Sequence, residues 1–151
     1  MSSSKLRNVL FLGLLVVLAA CSPSEQQSES NEVVAPLNTL EGSNWQLVKL
    51  TVLGGYEFVP EDPSKYVLNF RSDNRLTGSS DCNSINGSWL QEDAALRFDP
   101  FAATTSLCPP GSLHNNLILY LKDVSSHSLR DGHMVLTTST EGIEIEFESR
   151  D

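Results

Sequence analysis

The chain has few basic residues and few cysteines, and these shortages exclude several classes of protein. It contains ten lysines and arginines against nineteen aspartates and glutamates. A nucleic-acid-binding surface needs clustered basic side chains that displace counterions from phosphates, so we expect no nucleic-acid partner. Its three cysteines and three histidines form no C-x-x-C or H-x-x-x-H motif, so the sequence predicts no metal site, and it indicates no other cofactor.

The chain also lacks an apolar run long enough to span a membrane. The run VLFLGLLVVLAA at residues 9–20 has about a dozen residues, whereas a transmembrane helix needs roughly twenty. Lys5 and Arg7 precede the run and a cysteine follows it, an order typical of a secretory signal. We therefore interpret residues 1–20 as a signal peptide that is removed on export.

The end of this signal resembles the lipobox of bacterial lipoproteins. Leu18 to Cys21 read LAAC, and in a lipobox the cysteine receives a diacylglyceryl group and becomes the first residue after cleavage. The alternative is an ordinary secretory signal, with Cys21 left as a free thiol. Ser22 stands where an aspartate would retain a Gram-negative lipoprotein at the inner membrane. We therefore expect an outer-membrane lipoprotein facing the periplasm, or a cell-membrane anchor in a Gram-positive envelope.

The predicted anchor leads into a polar segment and one domain. Residues 21–42 are rich in Ser, Glu, Gln and Asn, so we interpret them as the lipidated cysteine and a flexible tether. Residues 43–151 suffice for one core. Without the signal, eight basic residues face nineteen acidic ones, a net charge of −11 that we attribute mainly to solubility.

The cysteine count bears on Cys82 and Cys108. If a lipid takes Cys21, these two remain as a pair, and an exported protein reaches an oxidising compartment where disulfides persist. A disulfide closing a loop of about 25 residues would stabilise the fold by roughly 3 to 4 kcal/mol. Two separate buried thiols are the alternative, because sequence does not show the distance between two Cα atoms.

Most of the domain has a hydrophobic period of two, which indicates a mainly β protein. The predicted strands cover residues 44–50, 65–71, 75–81, 86–92, 95–99, a weak 102–106, 126–130, 133–139 and 142–148. The segments SDNR, DGH and TEG, and also Asn86-Gly87, supply residues that tolerate positive φ, so we predict hairpin turns there.

The last predicted strand alternates most clearly. Ile143, Ile145 and Phe147 should face the core, with three glutamates between and after them on the other face. Those glutamates either form a solvated face that discourages edge pairing or a ladder that binds cations; we favour the first. Two further alternating sets should face the same core: Tyr66, Leu68 and Phe70, and Leu96 and Phe98.

One segment has a helical period instead. Leu113, Leu117, Leu121 and Val124 are spaced by four, four and three residues, which places them on one helical stripe that Ile118 widens. Ser112 suits an N-cap, so we predict a helix of about twelve residues that packs over an open end or face of the sheet.

The sequence gives little support for catalysis or calcium binding. His114, His127 and His133 lie in no catalytic motif, so we expect them at the surface rather than paired with a cysteine nucleophile. Asp81, Asn83 and Glu92 match positions one, three and twelve of a calcium loop, but Ile85 and Asn86 occupy positions that need an oxygen ligand and a glycine. We expect that the protein is not an enzyme.

A series of short motifs resembles the META domain of HslJ-type envelope proteins over about residues 43–148. The motifs are Trp45-x-Leu47, Phe70, NRLTGSSDCNSINGSW (residues 74–89), TTSLC (104–108), the predicted helix and the closing segments DGHMVLTT and GIEIEF. The resemblance implies a compact antiparallel β barrel-like sheet of about eight strands with one α-helix packed on it. It implies structural roles for Trp45, Gly78, Asn83 and Gly87, an association with envelope stress, and no agreed catalytic residue or ligand.

Two functional hypotheses remain at this point. The first is a non-catalytic, lipid-anchored envelope protein, expected to be a monomer, that supports stress tolerance or binds an envelope partner. The second is a small-ligand carrier that uses the barrel interior. A cavity lined by Trp45, Phe70 and Phe98 would favour the carrier, and a filled interior would favour the interaction module.

Overall fold

The computed structural model describes residues 40–150. The predicted signal peptide, Cys21 and nearly all of the predicted tether lie outside the described residues. In the described part, no helix has both the length and the apolar character needed to cross a membrane.

Nine antiparallel strands and one short helix make up this part of the chain. They are β1 (Asn44–Val52), β2 (Tyr56–Phe58), β3 (Tyr66–Phe70), β4 (Arg75–Ser80), β5 (Asn83–Glu92), β6 (Ala95–Ala103), α1 (His114–Leu121), β7 (Val124–Arg130), β8 (His133–Thr138) and β9 (Glu144–Ser149), with a 3-10 turn at Pro63–Lys65. Because β1 also pairs with β9, the eight strands β1 and β3 to β9 close into a barrel, and β2 is an extra strand on β1. The predicted fold class is confirmed.

The barrel has two ends that matter for the site. Leu40 donates its N–H to the Gln91 side chain, and Gly42 donates to the carbonyl of Phe70, so the described chain enters where β3 and β5 end. We call this the Leu40 end. The loop end is the opposite one, where β3 and β5 begin and β4 finishes. Leu40 is itself buried in the core, so the prediction that it belongs to the tether is wrong.

Side chains fill the barrel interior. Ile143, Ile145 and Phe147 are buried, as are Tyr66, Leu68, Phe70, Leu96 and Phe98, which confirms the alternation predicted for these strands. The Phe70 ring lies 5.5 Å from the Trp89 ring in an edge-on arrangement and 6.1 Å from the Phe98 ring. These aromatic side chains therefore contact one another within a single hydrophobic core.

Two predicted hairpin turns have the expected backbone. Asp73 and Asn74 both have φ near 57°, and Asp131 and Gly132 have φ of 53° and 83°, so each pair supplies the two positive φ values of a type I′ turn.

The prediction of a turn at Asn86-Gly87 is wrong. Both residues lie inside β5, and the chain turns instead at Asp81 and Cys82, where Asp81 has φ of 56°. A glycine is needed at position 87 because the backbone of β6 approaches it closely, not because the chain turns there. A Cβ there would lie 2.5 Å from the carbonyl oxygen of Pro100, beside a bulge between β5 and β6.

The helix is shorter than predicted, and its N-cap residue is Leu113, not Ser112. At this N-cap residue, the Leu113 N–H donates to the hydroxyl of Tyr66 at 3.0 Å. The Ser112 hydroxyl accepts the N–H of His114 at 3.2 Å. Leu117 and Leu121 are fully buried as predicted, but Val124 belongs to β7.

Strand extents also differ from the prediction, most of all in three places. β2 was not predicted, β5 begins three residues earlier, and β6 continues to Ala103, so that it includes part of the weak segment at 102–106. All three residues of β2 are exposed, so the strand has no buried face to produce a period of two.

Candidate functional site at the loop end

A disulfide holds a long loop at the loop end of the barrel. Cys82 lies in the turn between β4 and β5, and Cys108 lies in residues 104–113, which we call the disulfide loop. The two sulfur atoms are 2.09 Å apart and the two Cα atoms 5.5 Å apart. The structure thus brings together the two cysteines that the cysteine count had paired.

The Asn83 side chain joins β5 to the disulfide loop. Its Oδ1 accepts the Ser106 N–H at 2.7 Å and the Thr104 hydroxyl at 2.8 Å. Its Nδ2 donates to the Ser106 carbonyl at 2.9 Å and lies 3.2 Å from the sulfur of Cys108. The amide therefore bonds both backbone groups of Ser106, as a neighbouring strand residue would.

Asn83 is consequently a positioning residue for the loop. Its side chain is buried, and every polar contact described above goes to the chain itself. The family resemblance had implied a structural role for this asparagine. The structure shows that it fixes backbone, and that the backbone is the disulfide loop.

We expect the Asn83→Asp variant to lose about 2 kcal/mol or more of stability, because it puts a carboxylate oxygen against the Ser106 carbonyl in a buried site. Urea unfolding of the full chain measures this loss. Asn86→Asp is the matched control, because Asn86 is exposed on the same strand, and it should change stability little. Equal losses in the two variants would contradict the assigned role of Asn83.

A surface pocket of about 420 Å³ opens beside the disulfide. Its lining consists of residues 105–112 with His114 and Asn115. The Nδ1 atom of His114 lies 3.1 Å from the hydroxyl oxygen of Ser80, and both residues are buried, so His114 is not the surface histidine that the sequence predicted. Because Ser80 has no exposed surface, its hydroxyl is placed to hold α1 against β4 rather than to attack a substrate.

Acidic side chains surround the loop end. Lys65 forms an ion pair with Asp81 at 3.6 Å, and Glu61, Asp62 and residues 109–112 line a smaller adjoining pocket. A hydrogen bond from the Ser64 hydroxyl lowers the pKa of Asp62, which favours its charged form.

The other two histidines lie away from this end. His127 is buried, contrary to the prediction, where β6 and β7 share only the pair Ala95 and Ser126. Its Nδ1 lies 3.1 Å from the Ala94 carbonyl oxygen, and burial lowers its pKa. His133 lies in β8 and is only partly exposed.

The glutamates of β9 have basic neighbours. The Nδ1 atom of His133 lies 2.6 Å from a Glu146 oxygen, a hydrogen bond that lowers the pKa of Glu146, and Lys49 lies 3.6 Å from its other oxygen. Arg130 is 3.2 Å from Glu144. Nowhere in residues 40–150 do histidine, cysteine and acidic side chains group as a metal site would require. Glu144 and Glu146 are therefore paired with basic side chains on this face.

The remaining family-signature residues occupy separate places. Trp45 is buried in β1 toward the Leu40 end, where its indole N–H donates to the Ser43 hydroxyl at 2.7 Å. Gly78 lies in β4, and Gly87 in β5, where each faces the backbone of a neighbouring strand. Of the family-signature residues, only Asn83 lies beside the two cysteines at the loop end.

Several residues of this site were not singled out from the sequence. Thr104, Ser106 and Tyr66 bond Asn83 or the disulfide loop across separations of 21, 23 and 47 residues. The signal for the first two lay inside the TTSLC motif, but the motif does not say which strand it contacts. Tyr66 was predicted as a core residue only.

These features define a class of protein, an antiparallel eight-stranded barrel with a filled interior and a disulfide-held loop at one end. The META domain family model matches residues 38–150, and the chain belongs to that family. No curated protein matches the chain.

Solved structures show the same fold at low sequence identity. A protein from Burkholderia xenovorans, solved by NMR, is 18% identical with a TM-score of 0.65, and the match covers 76% of this chain and 86% of that one. A DUF4847 family protein from Bacteroides vulgatus, solved by crystallography, is 15% identical with a TM-score of 0.53, covering 75% of this chain and 97% of that one. At such identities the likeness concerns the fold alone.

Proposed function

We propose that this protein is a non-catalytic, lipid-anchored module of the bacterial envelope that binds an envelope partner and thereby supports the envelope under stress. The observation that carries the proposal is the filled interior of the barrel. Binding then has to use the outer surface, and the loop end offers the disulfide loop and the pocket beside it.

The filled interior argues against the small-ligand carrier. Phe70 and Phe98, which would have lined a cavity, contact each other instead, and Trp45 belongs to the same buried cluster. A ligand inside the barrel would have to displace these side chains from the core, where large-to-small changes cost about 3 to 5 kcal/mol each.

The polar groups of the site argue against catalysis. A catalytic side chain has to reach its substrate, yet Ser80 and Asn83 are buried and bonded to other parts of the chain. Cys82 and Cys108 are bonded to each other, which removes both as thiolate nucleophiles.

The position of Leu40 supports the choice of the loop end. The described chain enters at the opposite end of β5, a strand of ten residues. If Cys21 carries the lipid, the chain that follows it reaches the domain at the Leu40 end. The loop end is then the end farther from the point of attachment.

Mass spectrometry of the protein from a native membrane fraction tests the anchor. We expect the chain to begin at Cys21 with acyl mass on that residue, and Cys21→Ser to release the protein from the membrane. A chain that begins before Cys21, or that carries no acyl mass, would refute the anchored function. Photo-crosslinking in intact cells from fully exposed Leu107 should give an envelope protein that the same probe at Leu129, on β7, does not capture.

A further inference from the structure

Exposed apolar side chains concentrate in one short hairpin of the described chain. Leu53, Tyr56, Phe58 and Val59 are exposed by 63%, 71%, 40% and 65%, and they make up four of the eight large apolar residues exposed in residues 40–150. We call residues 53–59 the apolar hairpin. Single exposed apolar residues need no explanation, but a cluster of this kind marks an interaction surface.

The hairpin also contains an open strand edge. β2 pairs with residues 50–52 of β1, and within the described residues it has no neighbour on its other side. An unpaired edge presents backbone N–H and C=O groups to which an extended segment can add as a further strand.

The two faces of β2 differ in chemistry. Side chains alternate along a strand, so Tyr56 and Phe58 project to one face and Glu57 to the other. A strand added beside β2 would place its own side chains opposite these residues, where apolar pairs and pairs of opposite charge are favourable. The added strand should therefore alternate apolar and basic residues.

The surroundings add to this requirement for basic residues. Glu61 and Asp62 follow the hairpin and are exposed, and exposed Glu141 lies in the turn next to Leu53, whose Cδ2 is 3.1 Å from an ideal Cβ on Gly142. Two ion pairs, Lys49 with Glu57 at 2.7 Å and Lys65 with Asp81 at 3.6 Å, each cancel one acidic and one basic charge, so the remaining charge around the hairpin is negative. The rim of the hairpin is thus acidic.

We infer that the open edge of β2 binds an extended segment of a partner protein in which apolar side chains alternate with lysine or arginine. Charge selects this occupant over two others. A second copy of the chain would bring the same acidic rim, and an anionic lipid surface would be repelled by it. The inference rests on the proposed interaction function, for which it names the recognised segment.

Fluorescence anisotropy with a defined peptide tests the inference on the full chain in detergent. The probe is a labelled short peptide in which valine and lysine alternate, and its binding should weaken as salt is added. Replacing lysine by glutamate should weaken binding by at least about tenfold, because the acidic rim then repels the peptide. Methylating the backbone nitrogens along one edge should weaken it similarly, because strand addition needs those N–H groups.

Matched variants locate the binding on the protein. Tyr56→Ser and Phe58→Ser should each weaken binding by about tenfold without changing charge. The control is Leu129→Ser, because Leu129 is 47% exposed on β7, close to the 40% of Phe58. It should stay within about twofold of the unchanged protein.

Each opposite result overturns the inference. Absent binding, equal binding of the glutamate peptide, or an equal loss in Leu129→Ser would do so. So would a dimer that Tyr56→Ser dissociates, or Tyr56-dependent binding of the Cys21→Ser chain to phosphatidylglycerol vesicles. The anchor fails separately, because an absent acyl mass would refute the anchored function and leave the peptide titration unchanged.

Discussion

Gly78→Ala is expected to destabilise the barrel by about 3 kcal/mol or more, and it could prevent folding altogether. A Cβ on Gly78 would lie 2.0 Å from the carbonyl oxygen of Val67 and 3.1 Å from its carbonyl carbon. Both atoms belong to the backbone of β3, which cannot swing aside as a side chain would. β3 is also held by β1 on its other edge, so a shift would disturb two ladders.

Urea unfolding of the full chain measures this effect, with Gly132→Ala as the matched control. Gly132 has φ of +83° but no atom within 4 Å of an ideal Cβ, so alanine there introduces only backbone strain. We expect the control to lose about 1 kcal/mol. A loss at Gly78 no greater than that at Gly132 would show that the close contact does not constrain the barrel.

The turn residues and Gly87 show which features local sequence predicts and which it does not. The type I′ turns follow from Asp73-Asn74 and Asp131-Gly132, because the ability to adopt positive φ depends on the residue itself. Gly87 carries the same local signal as those turns, yet the structure uses it for close approach to Pro100. The sequence shows that a glycine can either adopt positive φ in a turn or allow another backbone to approach closely. The neighbouring strand determines which of the two occurs.

Tertiary contacts account for the other differences. The Tyr66 hydroxyl accepts the N–H of Leu113, the N-cap residue of the helix, a contact that no local pattern predicts. His114 and His127 are buried because each finds a bond, with Ser80 and with the Ala94 carbonyl. Their partners lie 34 and 33 residues away in the chain, beyond the reach of local patterns.

The candidate site was predictable in part. If the chain is exported and a lipid takes Cys21, the two cysteines that remain are Cys82 and Cys108, and the family resemblance draws attention to Asn83. Neither argument shows that Asn83 bonds Ser106 as a strand would, because that contact depends on the register between β5 and β6.

Replacing both Cys82 and Cys108 by alanine is expected to lower the free energy of unfolding by about 3.5 kcal/mol in the chain-entropy model. The bond links two residues that are 26 positions apart, and its loss restores conformational entropy to the unfolded chain. Urea unfolding with and without reductant measures the change. Reductant should destabilise the unchanged protein and leave the double variant as it is.

Thiol titration of the denatured, unreduced protein from the membrane fraction is the direct check on the bond. With Cys82 and Cys108 bonded and Cys21 carrying a lipid, no free thiol should be found. Two free thiols would refute the disulfide, whereas a single one would indicate an intact disulfide and an unmodified Cys21. The count therefore separates the two chemistries assigned to the three cysteines.

The disulfide and Asn83 should not contribute independently. The Asn83 Nδ2 lies 3.4 Å from the Cys82 sulfur and 3.2 Å from the Cys108 sulfur, so the amide and the bond fix the same part of the loop. We expect Asn83→Asp to cost less in the variant that has alanine at positions 82 and 108 than in the unchanged protein, by about 0.5 kcal/mol or more. The reason is that a loop already released by the loss of the disulfide has less order for the amide to maintain. Strictly additive losses would mean instead that the disulfide and Asn83 hold the loop independently.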